Sequence, residues 1–151
     1  MTRLRVLAFA AARGRIGSVV LNGEALIDWR ISDSAADSPE AANAFAERLM
    51  AEFSPDVVVT EEVLLARHKG QRSIALIEAL TDAAERKSLL TIALPRQHHY
   101  PNKYAEAEAL VERFPELTPW QPKRLHFYDN EPRNTVLFEA LSLALSLHDQ
   151  G

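Results

Sequence analysis

Residues 6–21, VLAFAAARGRIGSVVL, predict two strands joined by a tight turn. The first run is almost wholly apolar, which favours a central strand that is buried on both faces of a sheet. The turn at Arg13-Gly14 leaves no room for a crossover helix, so the two strands must pair antiparallel. The end of such a strand is a natural position for a catalytic acid, but this strand ends in Ala10, Ala11 and Ala12.

The sequence after this hairpin predicts one more strand and then alternating helices and strands. Asn22-Gly23 is a strong hairpin signal, so the run EALIDWRIS continues the antiparallel meander. Ser38 followed by Pro39 is typical of a helix start. The later predicted elements are a strand over 57–60, a helix over 71–87, a strand within 89–95, a helix over 104–114 and a last, mostly apolar helix from Asn134. The order β-β-β-α-β-α-β-α-α predicts an α/β fold with a five-stranded mixed sheet flanked by helices, in which strands four and five run parallel to strand one.

Length and composition limit the class of protein. The chain has 151 residues, of which 47% are hydrophobic, and we expect a single domain over residues 1–151. It has no cysteine, which excludes disulfides and thiolate chemistry. No stretch approaches the roughly 20 apolar residues that span a bilayer, so we expect a cytoplasmic protein with no membrane partner. The net charge of -4 argues against coating nucleic acid by bulk electrostatics, although a local basic surface remains open.

Several stretches together resemble one known family. The stretch DVVVTEEVLLAR (56–67) is followed by a helix, the strand LLTIALP (89–95), a basic connector and FEALSLAL (138–145). In this order they resemble the RuvC-like Holliday junction resolvases of the ribonuclease H-like superfamily along most of the chain, and ARGRIGSVVL (12–21) is similar to the first hairpin of that family. The resemblance implies a ribonuclease H-like fold, a DNA partner, a homodimer, and cleavage with Mg²⁺ or Mn²⁺.

The same resemblance implies a site with four acids, of which two are present. Glu61 matches the acid at the end of strand four, and Glu139 matches the second acid of the last helix. Ala10 stands at the position of the strand-one acid and Val136 at that of the first helix acid. Two divalent cations about 4 Å apart need several carboxylates, so half a site implies impaired nuclease chemistry, with Glu61 and Glu139 as the remaining catalytic residues and metal ligands. Three further acids could build a different cluster: Glu62, Asp129 and Glu131.

Both matched acids also have a purely structural interpretation. Glu61 ends an apolar strand at the edge where parallel sheets bind ligands, but it could equally be a solvated acid. Glu139 shares a narrow polar stripe with Thr135, Ser142 and Ser146, and this stripe could simply be the solvent face of the helix.

Basic and aromatic side chains in presumed loops and helix starts are the candidates for nucleic-acid binding. RHKGQRS (67–73) has the composition of a phosphate-contacting loop at a helix start, or of an ordinary solvated loop. Residues 115–134 read as a long loop whose aromatics could stack on bases or pack on the core. The candidate residues are Arg13, Arg15, Arg67, Lys69, Arg72, Arg96, Lys103, Trp120, Lys123 and Arg124.

Three functions follow from these observations. The first is a divergent RuvC-like domain that binds structured or branched DNA and has impaired nuclease chemistry. The second is an active Mg²⁺- or Mn²⁺-dependent endonuclease of the Holliday junction resolvase type with a rebuilt set of acids. The third is a scaffold that retains the fold to bind a protein, which the acidic net charge supports.

Overall fold

The computed structural model describes residues 3–63, 69–96, 99–122 and 134–150, except for the side chains of 148–150. Five of the residues singled out by the sequence lie outside this part of the chain. They are the basic residues Arg67, Lys123 and Arg124 and the acids Asp129 and Glu131.

The five strands form the mixed sheet that the sequence predicts. They are β1 (Arg5–Ala12), β2 (Arg15–Asn22), β3 (Ala25–Ser32), β4 (Val57–Glu61) and β5 (Leu90–Leu94). Their order across the sheet is β3-β2-β1-β4-β5, with β1 to β3 antiparallel and both β4 and β5 parallel to β1. The β1–β2 turn places Arg13 at φ 50° and Gly14 at φ 78°, the left-handed conformations that suit a two-residue hairpin. The predicted α/β fold, with β4 and β5 parallel to β1, is confirmed.

Four helices flank the sheet. They are α1 (Pro39–Phe53), α2 (Gln71–Arg86), α3 (Lys103–Arg113) and α4 (Thr135–Gln150). The α1 helix begins as predicted, because the Ser38 hydroxyl accepts a hydrogen bond from the backbone N–H of Ala41. The prediction of a loop from residue 115 is wrong for its first part, since Pro115–Trp120 form a short 3-10 helix that buries Leu117 completely. None of the helices within the described ranges could cross a bilayer.

The sheet separates two apolar layers. Alternate residues of β1, among them Phe9 and Ala11, pack against α1 and α2, while Ala8 and Ala10 pack on the side of α3 and α4. Val57 and Val59 of β4 belong to this second layer, so Glu61, two residues further, points to the α4 side of the sheet. The alternation therefore directs the Glu61 side chain toward α4.

The start of α4 lies directly on β2. A Cβ atom at Gly17 would be 2.6 Å from the carbonyl oxygen of Val136, a distance that no side chain allows. Gly17 pairs with Ala10 of β1, so this contact places the first turn of α4 beside the end of β1. Glu139 follows on the same side, above the edge where β1 and β4 end.

Candidate functional site

Glu61 and Glu139 meet at a lysine. The Lys69 Nζ atom is 3.8 Å from Oε1 of Glu61 and 4.0 Å from Oε2 of Glu139. The Glu61 side chain is 7% exposed and that of Glu139 is 26% exposed. The fold thus brings the two matched acids to one place, and their role as catalytic or metal-binding residues stays a prediction.

The lysine is held by the backbone of β1. Its Nζ donates a 2.8 Å hydrogen bond to the carbonyl oxygen of Ala11, and its side chain is only 14% exposed. Lys69 directly precedes Gly70, the residue that caps α2, so the helix start anchors the lysine backbone. The sequence predicts Lys69 as a phosphate contact; in the structure its ammonium group points inward, among oxygen atoms of β1, β4 and α4.

The other two positions of the implied acid set are apolar and buried. Ala10 and Val136 are each 1% exposed and belong to the same core cluster. Oε2 of Glu139 is buried and has no hydrogen-bond partner in the described part of the chain. Within that part, no three His, Asp or Glu side chains are grouped closely enough to hold a metal ion. The described residues therefore do not fit a two-cation centre, which needs several carboxylates.

Glu62 directly follows Glu61 at the end of β4. Its side chain is half-buried, and its backbone N–H donates to the carbonyl oxygen of Leu94 at 2.8 Å. This bond extends the pairing of β4 with β5 by one residue. Its predicted part in a rebuilt acid cluster stays a prediction.

A second polar cluster lies on the next turn of α4. Arg96 donates to Oε1 of Glu106 at 3.1 Å, and the Ser142 hydroxyl donates to Oε2 of the same carboxylate at 3.2 Å. Arg96 is 14% exposed and Glu106 is 8% exposed. The sequence singles out Arg96 as a DNA contact but misses Glu106. The polar stripe of α4 is therefore not a plain solvent face, because Ser142 binds Glu106 and Thr135 is buried.

Two of the predicted basic residues lie at the β1–β2 turn, and a third lies at the start of α2. Arg13 is exposed at the turn itself, and Arg15 forms an ion pair of 3.7 Å with Asp33. Arg72, in the first turn of α2, is exposed and donates to the carbonyl oxygen of Ala36 at 3.1 Å. Lys69, just before α2, lies close to the end of β1, because its Nζ donates to the carbonyl oxygen of Ala11. The three arginines therefore border the edge of the sheet at which the Glu61 cluster lies.

Lys103 and Trp120 lie on other elements. Lys103 is exposed at the start of α3, with its Nζ 5.8 Å from the centre of the Tyr104 ring. Trp120 is half-buried and packs edge-to-face on Trp29, with ring centres 5.5 Å apart. Of the two alternatives that the sequence leaves open for Trp120, the structure shows packing on the core, and stacking on bases stays a prediction.

Solved structures with a similar fold have low sequence identity to this chain. No family model matches the chain, and no curated protein matches it by sequence. RuvC from Thermus thermophilus is similar with a TM-score of 0.66 at 17% identity, over 95% of this chain and 92% of that one. The same protein in complex with a Holliday junction substrate gives a TM-score of 0.66 at 15% identity, over 95% and 91% of the two chains.

A eukaryotic structure is similar as well. The yeast mitochondrial Holliday junction resolvase Ydc2 gives a TM-score of 0.54 at 12% identity, over 99% of this chain and 82% of that one. At these identities the likeness is one of fold. The chain therefore has the ribonuclease H-like fold of the RuvC-like Holliday junction resolvases.

Proposed function

We propose that this protein binds nucleic acid, most simply structured or branched DNA, and does not cut it by a two-metal mechanism. The proposal rests on two observations together: three arginines lie near one end of the sheet, and a lysine partly neutralises the two acids found there. Arg13, Arg15 and Arg72 border the sheet edge, while Lys69 lies between Glu61 and Glu139.

The basic border supplies the attraction to phosphates. Guanidinium groups bind phosphate oxygens through paired N–H donors, and several of them along one edge favour a polyanion over a single small anion. Arg72 also lies at the N-terminus of a 16-residue helix, where the helix dipole favours negative charge. The similar Thermus thermophilus structure was determined with a Holliday junction substrate, which supports DNA as the polyanion to test first.

The acid cluster argues against cleavage by two cations. In-line phosphodiester cleavage of this type needs two divalent cations held by several carboxylates. The described residues offer Glu61 and Glu139, and a lysine already neutralises part of their charge. Because no described acid replaces Ala10 or Val136, binding without cutting is the activity that this arrangement supports.

Binding is tested by fluorescence anisotropy with a labelled four-way junction, a duplex and a single strand, each at two salt concentrations. We expect binding that weakens as salt rises, because each phosphate contact releases counterions. Charge reversal at Arg13 (Arg13→Glu) should weaken binding about tenfold or more and reduce the salt dependence. The matched control is Lys87→Glu, an exposed lysine at the C-terminal end of α2, roughly 24 Å along this 16-residue helix from its start.

The same samples separate the alternatives. No binding to any of the three nucleic acids, with a correctly folded protein, would favour the protein-binding scaffold. Cutting of the junction in Mg²⁺ or Mn²⁺ that Glu61→Gln abolishes would favour the active nuclease. A homodimer belongs to the proposal as well, and light scattering with and without the junction tests it.

A further inference from the structure

The space between Glu61 and Glu139 already holds a positive charge supplied by the chain. Three oxygen atoms surround Nζ of Lys69: the carbonyl oxygen of Ala11 at 2.8 Å, Oε1 of Glu61 at 3.8 Å and Oε2 of Glu139 at 4.0 Å. They come from β1, β4 and α4, the three elements that converge at this edge. We propose that Lys69 replaces a divalent cation at this position and that its ammonium group keeps metal ions out of the site.

The argument from charge is direct. A divalent cation bound to these oxygens would lie about 2.0 to 2.6 Å from each of them. Any such position is close to Nζ, because Nζ lies within 4.0 Å of the same three oxygens. The two positive charges would repel strongly in a site that is largely shielded from water. The lysine and a metal ion therefore exclude each other.

The lysine is also held firmly enough to compete. Its side chain is only 14% exposed, and its hydrogen bond to the Ala11 carbonyl oxygen fixes the ammonium group at the end of β1. A metal ion would have to break this bond and move the lysine into solvent. The buried Oε2 of Glu139, which has no hydrogen-bond partner among the described residues, shows that the site holds an acceptor to which a closer cation could bind.

The structure thus assigns opposite effects to Lys69 and to the two acids. With Lys69 in place, Glu61 and Glu139 are neutralised in part and the site is closed to Mg²⁺ and Mn²⁺. Without it, the two carboxylates and the carbonyl oxygen that lie around its Nζ would be available to a cation, and hard cations bind oxygen atoms of these kinds. This inference does not depend on nucleic-acid binding, because the test below uses only the metal.

The test titrates the full chain with Mn²⁺ and measures free Mn²⁺ by electron paramagnetic resonance. The proteins are the wild type, Lys69→Ala, the double variant Lys69→Ala/Glu61→Gln, and Lys87→Ala as the control for loss of an exposed lysine. We expect Lys69→Ala to bind one Mn²⁺ about tenfold or more tightly than the wild type, because a repelling charge is removed. The double variant should return to the weak binding of the wild type, and Lys87→Ala should bind as the wild type does.

Each other outcome contradicts the proposal. Wild-type protein that binds Mn²⁺ as tightly as Lys69→Ala would show that the lysine does not exclude the metal. Tighter binding that persists in the double variant would place the metal elsewhere. Equal, weak binding by the wild type and Lys69→Ala would show that the oxygens do not form a latent site.

A second variant covers the case in which Lys69→Ala does not fold. Lys69→Gln keeps much of the side-chain length and can still donate to the Ala11 carbonyl oxygen, so it removes the charge with less loss of packing. It should bind Mn²⁺ more tightly than the wild type, and by less than Lys69→Ala. If neither variant folds, Mn²⁺ binding by the wild type that Glu61→Gln abolishes would overturn the proposal.

Discussion

Two buried charge clusters on successive turns of α4 differ in how their charges meet. In the cluster of Arg96, Glu106 and Ser142, both carboxylate oxygens accept hydrogen bonds, at 3.1 and 3.2 Å. In the Glu61 cluster, the lysine lies 3.8 and 4.0 Å from the carboxylates, beyond hydrogen-bond distance, and it donates a hydrogen bond to the backbone carbonyl oxygen of Ala11. The first has the geometry of a structural ion pair. In the Glu61 cluster, the ammonium group of Lys69 lies among two carboxylates and a carbonyl oxygen, where a bound cation would lie.

The largest expected effect comes from breaking the first cluster. Arg96→Met leaves Glu106, 8% exposed, as a buried carboxylate whose remaining partner is the Ser142 hydroxyl. We expect the free energy of unfolding to fall by about 3 kcal/mol, because a buried charge loses its counter-ion. Urea denaturation followed by circular dichroism measures this change.

The double variant Arg96→Met/Glu106→Leu is the control for this prediction. It removes both charges, so most of the lost stability should return. A double variant that is less stable than Arg96→Met alone would mean that packing, and not the unpaired carboxylate, explains the loss.

An intermediate effect is expected from the Glu61 cluster. Lys69→Met removes the ammonium group while keeping most of the apolar side chain. We expect a loss of about 1 to 2 kcal/mol, since the variant loses one hydrogen bond to a neutral carbonyl oxygen and two ion pairs that are longer than hydrogen bonds. The measurement is urea denaturation in parallel with Arg96→Met. A larger fall in the free energy of unfolding for Lys69→Met than for Arg96→Met would show that the longer charge–charge distances in the Glu61 cluster do not mean a smaller contribution to stability.

The smallest effect belongs to a third charge cluster, at the edge strand β3. The Arg30 guanidinium donates hydrogen bonds to the carboxylates of Asp28 at 3.1 Å and Glu52 at 2.9 Å. Burial raises the pKa of Asp28 above its usual 3.8, although Arg30 opposes the rise. The folded protein therefore holds this proton more tightly than the unfolded chain does, and the associated stability is lost as the pH rises through the raised pKa.

The variant Asp28→Asn removes this titration. Relative to the wild type, its free energy of unfolding should increase as the pH rises from below 3.8 to above the raised value. Urea denaturation at both ends of this pH range measures the difference. A difference that is constant across the range would contradict the raised pKa.

Most of the fold could be predicted because its signals are local. The Arg13-Gly14 and Asn22-Gly23 turns identify the meander, and Ser38-Pro39 marks the start of α1 where the structure has it. Pro115–Trp120 is the exception, because a proline-rich run reads as a loop whether or not a buried leucine folds it into a 3-10 helix.

The site could be predicted only in part. Glu61 and Glu139 were found by resemblance, since the fold brings distant elements together and spacing alone does not show this. The direction of Lys69 could not be predicted, because a long flexible side chain at a helix start can point to solvent or inward. Glu106 was missed among the exposed acids of α3, although its position beside Ala107 and Leu110 on the apolar face was a usable signal.

The burial of Ala10 and Val136 has a consequence for how this protein can change over evolutionary time. Both side chains are 1% exposed, and the Val136 backbone lies against Gly17. A single substitution to aspartate at either position would bury a further carboxylate while Lys69 is already shared between Glu61 and Glu139, which costs several kcal/mol out of a typical total of about 5 to 15. A metal ion could offset that cost only once Lys69 had changed as well, because its ammonium group occupies the space between Glu61 and Glu139. With Lys69 excluding metal ions as we propose, each first step toward a four-acid site therefore passes through a less stable protein.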